Sequence, residues 1–145
     1  MSDSQLYVPD AGDCAFCAYL DGDRPYTILR RTGLAAVLVT REQRGLGHVL
    51  VIPIAHRPTL IDLGAAESND VMRLLISSAK AIDRAMQPGG ISVWQNNGVP
   101  SDQTIPHTHF HVAGTYPDRG TDRGPVPELS LAETEAIADR LDPWF

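Results

Sequence analysis

The chain has 145 residues, of which 43% are apolar and 21% are charged, and its formal net charge is −6. This length and composition indicate one globular domain with a core of its own, and they exclude a wholly disordered chain. Lys80 is the single lysine among twelve basic residues, so a polybasic surface for nucleic acid is excluded too. The longest apolar-rich run, residues 45–55, is too short to span a bilayer, and no basic and apolar leader opens the chain. The expected location is therefore the cytosol, with no membrane partner.

In chain order, residues 1–13 are polar and predict a flexible lead-in to a single domain over residues 14–145. Three β-branched or apolar runs with short connectors favour antiparallel strands. A helical period ending at Gly89-Gly90 predicts an amphipathic helix, two further strands follow, and a capping-box match opens a last short helix. The predicted strands are 26–30, 34–40, 48–54, 91–95 and 106–113, and the predicted helices are 68–86 and 130–141. The expected fold is α+β, an antiparallel sheet of about five strands with one long helix and one short C-terminal helix.

Three of the five histidines alternate along the last predicted strand, as His107, His109 and His111. Successive side chains of a strand point to opposite faces, so a strand places these imidazoles on one face, about 6.5–7 Å from one to the next. Two kinds of chemistry use such a row. The histidines ligate a catalytic metal, or a neutral imidazole attacks phosphorus while its neighbours bind the phosphoryl oxygens. An incidental row on a solvated face is the third reading.

The two cysteines form a Cys-x-x-Cys pair, Cys14 and Cys17. In a cytosolic chain such a pair is typical of half a metal site or of a redox pair, and not of a disulfide framework. No strand precedes Cys14 and no helix clearly follows Cys17, which disfavours a thioredoxin-like redox pair. Half of a tetrahedral zinc site and a reduced thiol pair without metal both remain open.

Four motifs in fixed order resemble those of the histidine triad (HIT) superfamily of nucleotide hydrolases and transferases. They span roughly residues 14–116 and match the zinc-containing bacterial type. The motifs are Cys14-Ala-Phe-Cys17, Gly47-His48-Val-Leu-Val-Ile-Pro53-Ile-Ala-His56, the polar residues Asn96 and Gln103-Thr104, and His107-Thr-His109-Phe-His111-Val-Ala. The resemblance implies a HIT-like fold and a homodimer.

It also implies a mechanism. His109 would attack the α-phosphate of a nucleotide or nucleotide conjugate and cleave a phosphoanhydride or phosphoramidate bond through a nucleotidyl-histidine. The implied catalytic residues are His109, His111, His48 and Thr104, and the implied substrate-binding residues are Asn96, Gln103, Thr104 and His111. Two alternatives stand beside it. One is a mononuclear metal-dependent hydrolase or oxygenase with the three strand histidines as ligands, and the other is a nucleotide-binding sensor without turnover.

The same resemblance implies a structural zinc ion held by Cys14, Cys17, His56 and His107, with no organic cofactor. Several positions depart from the family pattern or stand outside it. Thr40 replaces an acidic ribose-binding residue, with Glu42 close by, and Asp102 replaces a common glycine before the Gln-Thr pair.

Three further features lie outside the motifs. Trp94 is expected in the core. Arg119 and Arg123 lie in a loop or flap over 114–127 and would reach a phosphate if it folds over the site. The terminal Trp144-Phe145 is expected at a dimer interface or near a ligand.

Overall fold

The computed structural model describes residues 4–10 and 12–145, so part of the predicted lead-in lies outside the described residues. The strands are β1 (Ile28–Arg31), β2 (Ala35–Val39), β3 (Leu46–Pro53), β4 (Ile91–Trp94) and β5 (Phe110–Gly114). The helices are α1 (Ala15–Asp21), α2 (Ala65–Met86) and α3 (Leu131–Leu141). All strand pairs are antiparallel, in the order β1-β2-β3-β5-β4. The α+β class and the five-stranded antiparallel sheet are thus confirmed.

The central strands β2 and β3 are buried on both faces of the sheet. Side chains such as Val37 and Val51 face α2, whereas Leu38 and Ile52 face the side on which α1 packs. These strands carry continuous apolar runs because both faces need cover. Truncating a fully buried residue such as Ile52 to Ala would cost about 2–5 kcal/mol.

Helix α2 begins at Ala65, three residues before the predicted start. The Glu67 carboxylate accepts a hydrogen bond from the Gly64 N–H at 3.0 Å and so caps the first turn. The predicted stripe, which includes Val71, Leu75 and Ile82, packs on the sheet. The helix ends at Met86, and its C-cap Gln87 adopts a left-handed conformation with φ of 49°.

The sequence analysis does not predict α1, and the expectation that no helix follows Cys17 is wrong. Cys14 is the N-cap, since its sulfur accepts the Cys17 N–H at 3.4 Å, and Gly22 ends the helix at φ of 81°. Phe16 and Leu20 are its buried residues. A helix of 7 residues with two core contacts carries too little periodicity to be recognised in a sequence.

Strand β5 begins at Phe110, and not at position 106 as predicted. The His107 N–H bonds the Ile105 carbonyl at 2.8 Å, and the Thr108 N–H bonds the Arg57 carbonyl at 2.7 Å. These bonds turn the chain after Pro106, so residues 106–109 leave the ladder with β3. The three histidines therefore do not form one row along a strand, and the His107 side chain does not line up with that of His111.

The C-terminal residues cover part of the α2 side of the sheet. Helix α3 begins after the predicted Ser130 cap, whose side chain accepts the Glu133 N–H. Phe145 packs against the core with the Arg30 guanidinium over its ring, while Trp144 is 44% exposed. Within residues 4–10 and 12–145, no helix combines the length and apolarity needed to cross a bilayer.

Candidate active site

His109 is buried, and one of its ring nitrogens is committed to the backbone. Its Nδ1 lies 2.7 Å from the His107 carbonyl oxygen, which can only accept, so the ring proton lies on Nδ1. The lone pair is therefore on Nε2, and the ring lines an open cavity. Burial lowers the pKa of His109 below its ordinary value. The residue presents a neutral, nucleophilic nitrogen.

Two further histidines form a hydrogen-bonded pair whose proton positions follow from one backbone donor. The Arg44 N–H donates to Nδ1 of His48 at 3.0 Å, which places the His48 proton on Nε2. That Nε2 lies 3.0 Å from Nδ1 of His111, so His111 accepts there and carries its own proton on Nε2. Burial lowers the pKa of His48 to about 3 and that of His111 to about 2. Both rings are neutral at pH 7, and His111 has an N–H to offer to a ligand.

Two cavities meet at His109, His111 and Thr104. The first, here called the polar lobe, has a volume of about 640 Å³. The second, the aromatic lobe, has a volume of about 160 Å³. The residues of the polar lobe that the aromatic lobe lacks are Arg44, His48, Trp94, Asn96, Asp102, Asp122 and Arg123. The apolar and aromatic wall of the aromatic lobe is formed by Phe16, Tyr19, Tyr26, Leu50 and Ile105.

Next to Phe16, whose ring also contacts His109, four metal-ligand side chains come together as the Cys-His cluster: Cys14, Cys17, His56 and His107. Their ligand atoms all lie within 4.8 Å of one another, and three of the sulfur–nitrogen distances, Cys14–His107, Cys17–His56 and Cys17–His107, are 3.4–3.6 Å. Tetrahedral zinc, with bonds of about 2.3 Å to sulfur and 2.0 Å to nitrogen, separates such atoms by about 3.5 Å. The residues present therefore fit a zinc ion.

The hydrogen bonds around this cluster favour a metal over a redox pair. Nε2 of His107 donates to the Pro53 carbonyl at 2.8 Å, which leaves the Nδ1 lone pair directed at the two sulfurs. Burial, followed by the neighbouring Cys14, raises the pKa of the Cys17 thiol to about 11. A raised pKa is the mark of an unreactive thiol, so it argues against a redox pair, and the case for a metal rests on the ligand geometry.

A HIT domain family model matches residues 22–118. The chain belongs to the HIT family. Among its relatives is the adenosine 5′-monophosphoramidase hnt1 of Schizosaccharomyces pombe, 32% identical over 99 residues, which are 68% of this chain and 71% of that protein. The family model begins to match at residue 22, after Cys14 and Cys17, so the helix α1 with its Cys-x-x-Cys pair lies outside the matched part.

Solved structures of HIT proteins share this fold. A Hit-like protein from Bartonella henselae superposes with a TM-score of 0.86 at 23% identity, covering 97% of this chain and 100% of that one. A zinc-bound histidine triad family protein from Mycobacterium smegmatis gives a TM-score of 0.77 at 22% identity, covering 91% and 92%. At these identities the two structures support the HIT fold alone.

Most of the site residues predicted for this HIT protein fall into two groups, and Phe16 contacts a histidine of each. His48, Asn96, Thr104, His109 and His111 line the cavities. The second group is the Cys-His cluster, which includes His107 but neither His109 nor His111. Among the described residues it is the one group of three or more such side chains close enough for a metal. This placement removes the geometric basis for a metal held jointly by His107, His109 and His111.

Gln103 differs from the other predicted substrate-binding residues, because its side chain is buried and lies outside both cavity walls. Its oxygen accepts the Gly98 N–H at 2.7 Å, and its nitrogen donates to the carbonyls of Pro58 and Ile105. These bonds hold the loop that carries Asn96 and Thr104.

The expectation that Trp94 belongs to the core is wrong. Its ring is stacked on His111, with centroids 4.6 Å apart and planes 3° from parallel, and it lines the polar lobe. Trp94 and His111 are cross-strand partners at the edge of the sheet, and this pairing puts their rings side by side. The sequence analysis also misses Arg44, whose only signal is its position shortly before the Gly-His motif.

Proposed function

We propose that this protein hydrolyses nucleotide conjugates at the α-phosphate, through a transient nucleotidyl group on His109. The observation that carries the proposal is the fixed tautomer of His109, whose free nitrogen lies where two chemically different lobes meet. The name of the Schizosaccharomyces pombe relative, a monophosphoramidase, supports a nucleotide substrate. No organic cofactor takes part in this scheme.

The lobes suggest how the substrate lies. The base stacks against aromatic rings of the smaller lobe, such as Tyr19 and Tyr26, which are themselves stacked with centroids 4.0 Å apart. The α-phosphate lies beside His109, and the leaving group occupies the polar lobe. Thr40 and Glu42 line both lobes, and Glu42 offers the carboxylate for the ribose hydroxyls that Thr40 lacks.

The reaction has two balanced halves. The Nε2 lone pair of His109 forms a bond to phosphorus, the bond from phosphorus to the leaving atom breaks, and the leaving group takes a proton from solvent. Water then attacks phosphorus, the bond from phosphorus to Nε2 breaks, and the attacking water releases one proton to solvent, which balances the proton taken by the leaving group. The N–H of His111 and the hydroxyl of Thr104 stabilise the developing negative charge, as preorganised neutral donors do.

The test is release of nucleoside monophosphate from adenosine and guanosine phosphoramidates, a dinucleoside polyphosphate and a nucleotide sugar. Wild type should release it, and His109→Ala, with its fold checked by thermal melting, should fall by at least about 10³-fold. Rapid quenching and intact-protein mass measurement should detect the nucleotidyl adduct in wild type alone. Equal release of nucleoside monophosphate by both proteins would refute the mechanism. A bound nucleotide with no turnover by either would favour the sensor alternative.

We also propose that zinc occupies the Cys-His cluster in a structural role. With four protein ligands the ion has no open position for substrate, so it would supply cross-linking and no Lewis-acid chemistry. It would join α1 to the segments before α2 and β5. The zinc content of the purified protein tests this, with about one ion per chain expected and a loss in Cys17→Ser.

A homodimer is the third part of the proposal. Strand β4 is an edge of the sheet, and its residue Val93 is 54% exposed. Unpaired strand edges of this kind readily join a second sheet. Light scattering should give a molecular mass of twice the 15.8 kDa of one chain, and Val93→Lys should reduce this mass to that of one chain.

A further inference from the structure

We propose that Arg123 makes the polar lobe a subsite for an anion, so that the preferred substrates carry one negative charge on the leaving group. The inference rests on the proposed function, because a leaving group exists only if His109 attacks the α-phosphate. It concerns which conjugate is chosen, and not whether the bond is cleaved.

Two arginines at or beside the polar lobe are already paired with carboxylates. Glu42 and Arg44 pair with an oxygen–nitrogen distance of 3.2 Å. Asp122 accepts two hydrogen bonds from Arg119, at 2.8 and 3.2 Å. Neither Arg44 nor Arg119, which also pairs with Asp118, is therefore free to meet a ligand.

Arg123 is the cation of this lobe that stays available. Within residues 4–10 and 12–145 no ion pair involves it. Its guanidinium carbon lies 5.6 Å from the centroid of Trp94, whose other stacking partner is His111. The cation therefore stands one ring away from the imidazole that faces the phosphate, on the side of the leaving group.

The segment 114–127 is largely a loop, one of the two forms predicted for it, and its backbone around Arg123 is anchored. The Asp122 N–H donates to the Arg44 carbonyl at 2.9 Å, and the Arg44 guanidinium donates to the Gly124 carbonyl. Both neighbours of Arg123 are thus tied to Arg44, the residue whose N–H also orients His48. These bonds fix the backbone of Arg123 beside the cavity, where its guanidinium lies over the Trp94 ring.

Asp102 limits the anion to a single charge. Its carboxylate lines the same lobe and, in the described part of the chain, forms no ion pair. With Arg123 as the unpaired cation and Asp102 as the unpaired anion, the lobe favours a monoanionic group such as a carboxylate. The Asp102 charge repels a chain of phosphates. The substrate class is a nucleotide conjugate with one anionic group beyond the scissile bond.

The experiment compares two adenosine 5′-phosphoramidates with the same scissile bond. In one the leaving amine is β-alanine, which carries a carboxylate, and in the other it is the neutral N-methyl amide of β-alanine. The measured quantity is the ratio of kcat/KM for the anionic over the neutral conjugate, compared between variants so that intrinsic reactivity cancels. The variants are Arg123→Gln, Arg123→Lys and, as a charge-matched control on the exposed face of α2, Lys80→Gln.

Arg123→Gln should lower this ratio roughly tenfold, the effect of losing one charge-assisted hydrogen bond at a partly exposed site, because the anionic conjugate loses more than the neutral one. Arg123→Lys should recover part of the ratio, and Lys80→Gln should leave it at the wild-type value. High salt should shrink the ratio in wild type and not in Arg123→Gln. An equal loss for both conjugates, or no change in the ratio, overturns the proposal.

Binding of the same conjugates separates this proposal from the proposed function. In His109→Ala, calorimetry should show that the anionic conjugate binds several-fold more tightly than the neutral one, and that adding Arg123→Gln removes the difference. If wild type turns over neither conjugate but this difference is present, the hydrolase proposal fails and the anion subsite stands. Equal affinities in His109→Ala overturn the subsite whatever the turnover.

Discussion

Removal of the metal from the Cys-His cluster should lower the melting temperature much more than it lowers the activity of the folded protein. The cluster links Cys17 to His56, 39 residues apart in the chain, and further to His107. A cross-link over such a loop is worth about 4 kcal/mol by chain-entropy arguments. A metal present at a thousand times its Kd contributes about 4 kcal/mol as well.

This free energy converts into a melting shift through the entropy of unfolding. For 145 residues that entropy is about 0.3 kcal/mol/K, so about 4 kcal/mol corresponds to roughly 13 °C. The active site should survive well below the new midpoint, because the Pro53 carbonyl still holds the His107 ring and the His107 carbonyl still holds His109.

The assay is a pair of thermal melts by circular dichroism, before and after chelation, with zinc content and turnover measured on the same samples. Cys17→Ser should melt at the chelated value, while His109→Ala should keep both its zinc and its melting temperature. An unchanged midpoint after full chelation refutes the cross-linking argument. Activity that vanishes while the protein is still folded refutes the structural role of the metal.

Three other predictions address the cavity. Lowering the pH from 6.5 to 5 should reduce the free energy of unfolding by about 2 kcal/mol for each of His48 and His111, since the unfolded chain takes up the protons while folded pKa values of about 3 and about 2 prevent uptake. Denaturant titrations of metal-free protein check this, and His111→Asn should lose only its own share of the slope, because burial lowers the pKa of His107 and of His109 as well; a flat profile would contradict it. Trp94→Ala should lower kcat/KM about fivefold through loss of the stack on His111, whereas Trp94→Phe should stay within about twofold; steady-state kinetics with equal losses in both variants would contradict the stacking role. Asp102→Asn should raise turnover of a dinucleoside polyphosphate several-fold over that of a phosphoramidate, and an unchanged ratio in the same assay would show that the Asp102 charge does not reach the leaving group.

The parts of the fold that follow from the sequence are those with strong local patterns. The apolar runs around Val37 and Val51 define buried strands, and the period around Val71 and Ile82 defines α2. The resemblance of the Gly-His motif and the histidine row to the HIT pattern is what predicts that His48, His109 and His111 are neighbours. The strands and the helix, by contrast, follow from patterns within one element.

The parts that do not follow depend on contacts between distant segments. Whether Trp94 faces the core or the cavity depends on which side of the edge strand β4 it occupies. The sequence of β4 does not specify which of its two faces is exposed. The approach of Arg123 depends on its neighbours bonding Arg44, far away in the chain. The turn that separates His107 from the row depends on backbone bonds to Ile105 and Arg57, which no side-chain pattern encodes.

The proton positions in this site are set by main-chain groups, the Arg44 N–H and the His107 carbonyl. Substitution of a side chain leaves both groups in place. The lobes are formed largely by side chains. A mutation there alters which ligand binds, and it leaves the positions of the histidine ring protons unchanged. A lineage with this architecture can therefore change its substrate one residue at a time, through intermediates that never lose the nucleophile.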